Sequence, residues 1–392
     1  MLTASIVVAA GKWLALLAAL AVALLGAVVH LPVITTSSAK TFRACPRLYQ
    51  LRYVLGYRPA VESETLRFGS LIHAALEMWW LAAWWGQRRG RLVAALDAIE
   101  REAARFEVDD FDRARAEVMV HAYHARWVDE PMRVVAVEAT FTGPLVNPET
   151  GAASRTWARG GKIDAIAEMP ERGGLVVVEH KTSSEDITEG SDYWTRLRLD
   201  PQISNYLRGA EDLGLAPVAV LYDVLAKPSQ RPLKATPVEA RKYTKPTKTE
   251  PSRLYAGQRE SDETVEEYRA RIEEAVSREV DAYVSRGVVV RLEQDVADAA
   301  TDTWQIGQQL REARRTGCWP RNPDACKRYG RTCEFLQVCT RTASLDDPTR
   351  FRRAERAHEE LGMGQRTSNG TSNGTSNGTS NGTSNGEEIA SW

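Results

Sequence analysis

Hydrophobic and polar positions alternate in three different ways along the chain, and the changes mark its organisation. Residues 13–29 are an apolar run without a charge, continuing through His30 to Ile34. Over residues 38–128 the apolar positions recur at helical spacing. This predicts a helix over 38–53, with serines capping its start, and a second opening at 68–77 and running toward Trp85. More helix is expected over 94–128, with Arg and Glu on its exposed faces. From Val134 the pattern shortens to blocks rich in β-branched residues, predicting strands at 134–141, 161–167, 175–178 and 217–225. The segment 170–174 has hairpin chemistry. Leu199–Leu207 predicts a helix with Asp200 as N-cap and Pro201 in first position, putting Gln202 and Tyr206 one turn apart on one face. Further helices are expected at 263–285 and 295–315, with a short strand at 288–292 between them.

The apolar blocks also show where charge is out of place. The run Leu175–Val178 stops at Glu179-His180-Lys181, and Asp164 sits fifteen residues before Glu179 in the neighbouring strand block. If the two blocks pair as a hairpin, Asp164 and Glu179 meet. Side chains at i and i+2 share a strand face, so Glu179 and Lys181 point the same way. Two carboxylates beside a lysine suit a Mg²⁺ or Mn²⁺ site, with oxygen ligands for the hard cation and an ammonium to steady or deprotonate a water. Lys and Glu alternate on many solvated strand faces. Here, however, the charges end a buried strand, where they are costly unless paired or bound.

Composition narrows the class. The chain has 392 residues and a net charge of −1, so any nucleic-acid contact must come from local clusters. One such cluster is the Lys-, Pro- and Thr-rich stretch 226–251, a solvated insertion or a contact for phosphates. Another is Trp194 beside Arg196 and Arg198, where the indole either stacks on bases or packs internally. The five cysteines are an odd number, with four near one end, which argues for metal ligation over a secreted disulfide framework. Cys326, Cys333 and Cys339 cannot complete a four-ligand site alone, and Cys45 can supply the fourth. Four thiolates hold either Zn²⁺ or a [4Fe–4S] cluster, and spacings wider than CxxC favour the cluster. Cys318 reads as a spare thiol.

The termini read differently. Residues 1–34 are an apolar extension: a membrane anchor, a cleaved signal peptide, or the product of a start assigned too far upstream. Membrane association is open on this reading. Residues 342–392, with five Thr-Ser-Asn-Gly units at 367–386, are expected to be a disordered tail.

In order and content, Cys45, His73, Asp164, Glu179-His180-Lys181, Gln202-x3-Tyr206 and three late cysteines resemble the PD-(D/E)xK nuclease superfamily, in its RecB-like, Cas4-type exonuclease branch with an iron–sulfur staple. The resemblance covers about 35–340. It implies an α/β fold: a restriction-endonuclease-like core, with a mixed central sheet flanked by helices, an N-terminal helical region and a C-terminal Fe–S staple. One nuclease domain over 35–341, with an insertion at 226–260, follows from it. It implies that His73, Asp164, Glu179 and the His180 carbonyl ligate Mg²⁺ or Mn²⁺, with Asp164, Glu179 and Lys181 carrying catalysis. Gln202 and Tyr206 would position DNA, and Cys45, Cys326, Cys333 and Cys339 would hold [4Fe–4S]. Glu77, a turn after His73, would join the surrounding network or lie on a solvated face. The implied activity is metal-dependent hydrolysis of DNA, single-stranded or at ends, in the cytoplasm, with recombination, repair or replication proteins as partners. The name-giving proline is absent, since Ile163 precedes Asp164. The competing functions are a non-catalytic DNA-binding or recombination accessory module that keeps the fold, the same nuclease tethered to a membrane, and a zinc-stapled domain of another fold.

Overall fold

The computed structural model of the chain describes residues 31–246, 251–328 and 331–361. Its elements, in order, are β1 (Val33–Ile34), α1 (Thr36–Ala44), α2 (Pro46–Tyr49), β2 (Tyr57–Pro59), α3 (Glu64–Trp84), α4 (Arg91–Phe106), α5 (Asp110–Trp127), β3 (Arg133–Val146), β4 (Ala153–Met169) and β5 (Gly174–Ser183). There follow α6 (Asp192–Leu197), α7 (Pro201–Asp212), β6 (Pro217–Ala226), α8 (Val265–Arg278), α9 (Val280–Tyr283), β7 (Val284–Val289) and α10 (Glu293–Thr316). The last are β8 (Lys327–Arg328), β9 (Arg331–Thr332), α11 (Leu336–Cys339) and β10 (Phe351–Arg353).

A mixed six-stranded sheet forms the centre. β3 lies antiparallel along one edge of β4; β1 and β5 share the other edge, β1 parallel and β5 antiparallel. β6 joins β5 in parallel and β7 closes the far side antiparallel. The hairpin at 170–174 forms as its sequence predicts, with Met169 opposite Gly174 and Ala165 opposite Val178. Continuing that register puts Asp164 opposite Glu179.

Helices cover both faces, which is why β5 and β6 read as continuous apolar runs. One face packs Val176, Val178, Leu221 and Leu225 against α3, α4 and α5, through Phe68, Leu71, Trp79, Trp80 and Tyr123. The other packs Ile163, Val177, Val220, Tyr222 and Val224 against α7, through Ile203, Tyr206 and Ala210. Period-two alternation therefore sends His180 toward the α3–α5 layer and Glu179 and Lys181 toward α7.

Several expectations are corrected. The helix expected over 38–53 begins at Thr36 and breaks at Cys45, where φ is −161°. Pro46 disfavours a helical conformation in the residue before it. The expected helix 94–128 is two, separated by left-handed Glu107 and recapped by Asp109, which accepts from Phe111 N and Asp112 N at 3.0 Å. The strand expected at 288–292 is β7, four residues earlier, and the preceding helix stops accordingly. Val33 and Ile34 belong to the sheet rather than to an apolar extension; Val33 pairs with Ala158 and Ile34 with Arg159. The remainder of the apolar run, residues 13–30, lies outside the described residues. Among those described, no helix is long and apolar enough to cross a membrane.

The ordered chain also continues past 341. β10 pairs with β2, and Phe351 stacks on Phe335 with ring centroids 5.3 Å apart, so residues 342–361 are not the disordered tail expected there. Phe351 and Leu345 join a small apolar cluster with Leu51, which gives this segment a core to pack on. The repeats at 367–386 lie outside the described residues.

Candidate active site

The site is built where the apolar part of β5 ends. Val176, Val177 and Val178 are fully buried, and Glu179 and His180 continue the strand while still 3% and 2% exposed. One Glu179 oxygen, Oε1, accepts from Lys181 Nζ and, at 2.6 Å, from Gln202 Nε2. The other, Oε2, is buried and has no hydrogen-bond partner. Lys181 Nζ also donates to Gln202 Oε1 at 3.0 Å, and Gln202 Nε2 donates to Tyr206 Oη at 2.7 Å. Gln202 is held because Asp200 caps α7, accepting from Gln202 N at 2.9 Å. Lys40 from α1 then pairs with Asp200 at 2.8 Å.

Asp164 arrives from β4 and His73 from α3. Asp164 Oδ2 accepts from His180 N at 2.8 Å and lies 4.0 Å from His73 Nδ1. His73, Asp164, Glu179, Lys181, Gln202 and Tyr206 are thus brought to one cleft. Among the described residues, no three His, Cys, Asp or Glu side chains stand close enough together to enclose an ion as they are placed.

Burial and charge set the protonation of the cleft. Burial pushes Glu179 up to about 7, against the pull of Lys181 and with the help of Asp164. Burial works the same way on Asp164, but His73 and His180, with the His180 N–H bond, outweigh it and hold that carboxyl below its ordinary value. The two acids are therefore driven apart. Burial lowers His73 to about 4, opposed by Asp164; the imidazole opens to solvent at the cleft mouth, which moderates that push. Lys181 is raised, because Glu179 outweighs its burial.

His180 points away from the cleft. Its Nδ1 lies 3.5 Å from Asp223 Oδ2, and both ring nitrogens lack a hydrogen bond. Asp223 is fully buried and accepts from Tyr123 Oη and from Arg286, at 3.0 and 3.1 Å. Arg286 also pairs with Glu130 and lies 4.1 Å over the Trp127 ring. This buried network was not anticipated from sequence, though Asp223 carries the same signal as Glu179: a charge inside an apolar strand block. Also unforeseen is the Glu138–Lys162 pair beside the cleft. Glu138 has φ 55° and is raised to about 7 by burial, despite Lys162.

The family profile described as the PD-(D/E)XK nuclease superfamily matches residues 33–340. The chain belongs to the PD-(D/E)XK nuclease superfamily. No curated protein matches this superfamily member closely. Among solved structures it is similar to a protein from Eubacterium rectale assigned as an exonuclease, at 10% identity and a TM-score of 0.41, over 81% of this chain and 90% of the other.

Four of the five cysteines line a separate cavity. Cys45, Cys326, Cys333 and Cys339 all line one cavity of about 510 Å³, while Cys318 is exposed and apart from it. The C-terminal loop is clasped to the helix break at Cys45. Asn322 Nδ2 donates to Ala44 O at 2.9 Å, Arg47 N donates to Pro320 O at 3.1 Å, and Trp319 stacks on Tyr49 at 6.0 Å. Burial raises the Cys333 thiol to about 11 and also raises Cys339.

Proposed function

We propose that this nuclease-superfamily chain is a Mg²⁺- or Mn²⁺-dependent deoxyribonuclease of the RecB-like, Cas4-type branch, acting as an exonuclease on single strands or DNA ends. The observation that carries the reading is the buried, unpartnered Oε2 of Glu179, set beside Asp164 and His73 in a cleft where Lys181 and Gln202 already engage Oε1. A buried carboxylate oxygen without a donor is costly, and a divalent cation removes that cost. Asp164, Glu179 and His73, with the His180 carbonyl, are the residues that would hold it. Bound there, the ion would supply Lewis-acid polarisation of the phosphoryl oxygen and acidification of a water.

The chain's own residues do the rest. Lys181 lies on the same strand face as Glu179, and its ammonium, kept charged by that carboxylate, would orient the attacking water by hydrogen bond. Gln202 fixes Lys181 and Glu179 relative to each other, and Tyr206 holds Gln202 in turn. A groove of about 590 Å³ lies beside the end of β5, lined by Thr182, Ser183, Phe68, Tyr193, Arg196 and Lys227, with Arg196 paired to Glu185 and Lys227 to Asp112.

The four cysteines around one cavity fit a thiolate-ligated group in donor type and number. A [4Fe–4S] cluster is favoured over a single zinc because Cys326, Cys333 and Cys339 are spaced more widely than the CxxC of zinc ribbons. Its place between the Cys45 helix break and the C-terminal loop supports a stapling role.

The test is digestion of end-labelled single-stranded and duplex DNA by anaerobically purified protein, with Mg²⁺, Mn²⁺ or chelator, beside Asp164→Asn. Cleavage that needs the ion and is lost in the variant is the expected result, and the label gives the polarity. Binding without cleavage from folded protein would favour the accessory-module reading.

A further inference from the structure

A cavity of about 720 Å³ lies along β7, the last strand of the sheet, whose outer edge pairs with no other strand among the described residues. Its volume is within the range of small-molecule sites, roughly 300–1,000 Å³. Two indoles line it, Trp127 from the end of α5 and Trp194 from α6, and Glu189 and Asp281 line it as well. The Trp127 ring already carries Arg286 at 4.1 Å. Trp194 is fixed in place: its Nε1 donates to Ile187 O at 2.9 Å, and its ring lies against Gly287, where a Cβ would enter the ring. Gly287 is therefore required for the indole to sit flat on the strand. Arg198 lines the same cavity and is exposed, and its guanidinium makes no ion pair or hydrogen bond with any described residue. Arg126, by contrast, is engaged by Asp281.

The position of α6 connects this cavity to the catalytic cleft. Tyr193 and Arg196 on α6 line the groove beside the end of β5, while Trp194, Thr195 and Arg198 line the β7 cavity. One short helix is thus a shared wall, with aromatic and basic side chains on both sides. Arg198 is two residues from Asp200, the cap of the helix that carries Gln202. The combination of the fixed Trp194 ring, a free guanidinium and a cavity large enough for a nucleotide is the chemistry that receives an unpaired base and its phosphate.

We propose that a single DNA strand leaving the catalytic groove crosses α6 and places an unpaired base in the β7 cavity, with Arg198 on the adjoining phosphate. The inference rests on the nuclease reading, and it makes the enzyme's footprint longer than its catalytic cleft.

The experiment measures binding of fluorescent oligodeoxythymidylates to the full chain in a Lys181→Ala background, with and without Arg198→Ala. A dinucleotide occupies the cleft alone; a twelve-nucleotide strand reaches the cavity. Arg198→Ala should weaken the twelve-nucleotide strand about tenfold, lower its salt dependence by about one counterion, and leave the dinucleotide unchanged. A strand carrying one 5-iodouracil, photocrosslinked to the chain without Arg198→Ala, should attach at Trp127 or Trp194. Equal loss for both lengths, no loss for either, or crosslinks confined to Tyr193 and the groove would overturn the proposal. If the Lys181→Ala chain binds no DNA of any length, the nuclease reading itself fails, and the two failures are distinguishable.

Discussion

Glu179→Gln tests the electrostatics of the cleft without disturbing its shape. Glu179 is raised from 4.5 to about 7, chiefly by burial, so the folded chain keeps its proton where the unfolded chain has released it. The sign follows by linkage. This group's contribution is most favourable below about pH 4.5 and becomes progressively unfavourable as the pH rises toward 7. At about 1.36 kcal/mol for each pH unit between the two values, the ceiling is about 3 kcal/mol. Glu179 is 3% exposed, so solvent screening takes little from that figure. The assay is urea unfolding of wild type and Glu179→Gln in chelator at pH 5 and pH 8. Glu138, also raised to about 7, and His73, lowered to about 4, contribute to both proteins and drop out of the difference. The variant should gain on wild type by about 2–3 kcal/mol between the two pH values. Adding Mn²⁺ at pH 8 should then offset most of that gain, because an ion at about 100 times its Kd adds about 2.7 kcal/mol to a chain that binds it. A gap between the proteins that is constant with pH, or that grows in favour of wild type in chelator, would refute the reasoning.

Two further substitutions read other parts of the framework. Asp223→Ala removes the fully buried partner of Arg286 and should cost about 3 kcal/mol, the lower end for a broken buried pair because Glu130 remains; urea unfolding measures it, and Asp223→Leu with Arg286→Met should recover most of the loss. Gly209→Ala on α7 puts a methyl 2.5 Å from the Phe141 ring, so an overpacking cost of about 1–3 kcal/mol should exceed the roughly 1 kcal/mol gained in helix propensity. The urea midpoint should fall, and Phe141→Leu should narrow the difference.

The parts of the site that were legible in the sequence are those where local pattern and position carry the same information. A buried strand that ends in charge marked Glu179 and Lys181. Hairpin chemistry at 170–174 set the register that brings Asp164 across from them. Asp200 and Pro201 announced the start of α7, and a one-turn spacing joined Gln202 to Tyr206, now linked at 2.7 Å. The less legible parts depend on contacts between distant segments. No periodicity connects His180 to Asp223 and then Arg286, which come from three elements. Glu138 reaches the cleft from a left-handed residue inside β3, and no local signal predicts that backbone. The apolar run at the start hid the fact that Val33 and Ile34 pair with β4. A two-residue strand has no period of its own and is fixed only by its neighbour. The tail boundary was misplaced for the same reason, because Phe351 finds its core on Phe335 and Leu51, residues from opposite ends of the chain.

The most direct test of the account is the single-turnover cleavage rate of end-labelled single-stranded DNA in Mn²⁺, wild type against Lys181→Ala, with DNA affinity measured on the same preparations. Lys181 contacts Glu179 and Gln202 at the reacting edge, and α7 holds Gln202 independently of it. The account predicts a rate at least about a hundredfold lower with affinity changed less than about threefold, within the range for losing one positioned proton-transfer group. An unchanged rate in folded, DNA-bound Lys181→Ala protein would contradict it and move catalysis away from this cleft.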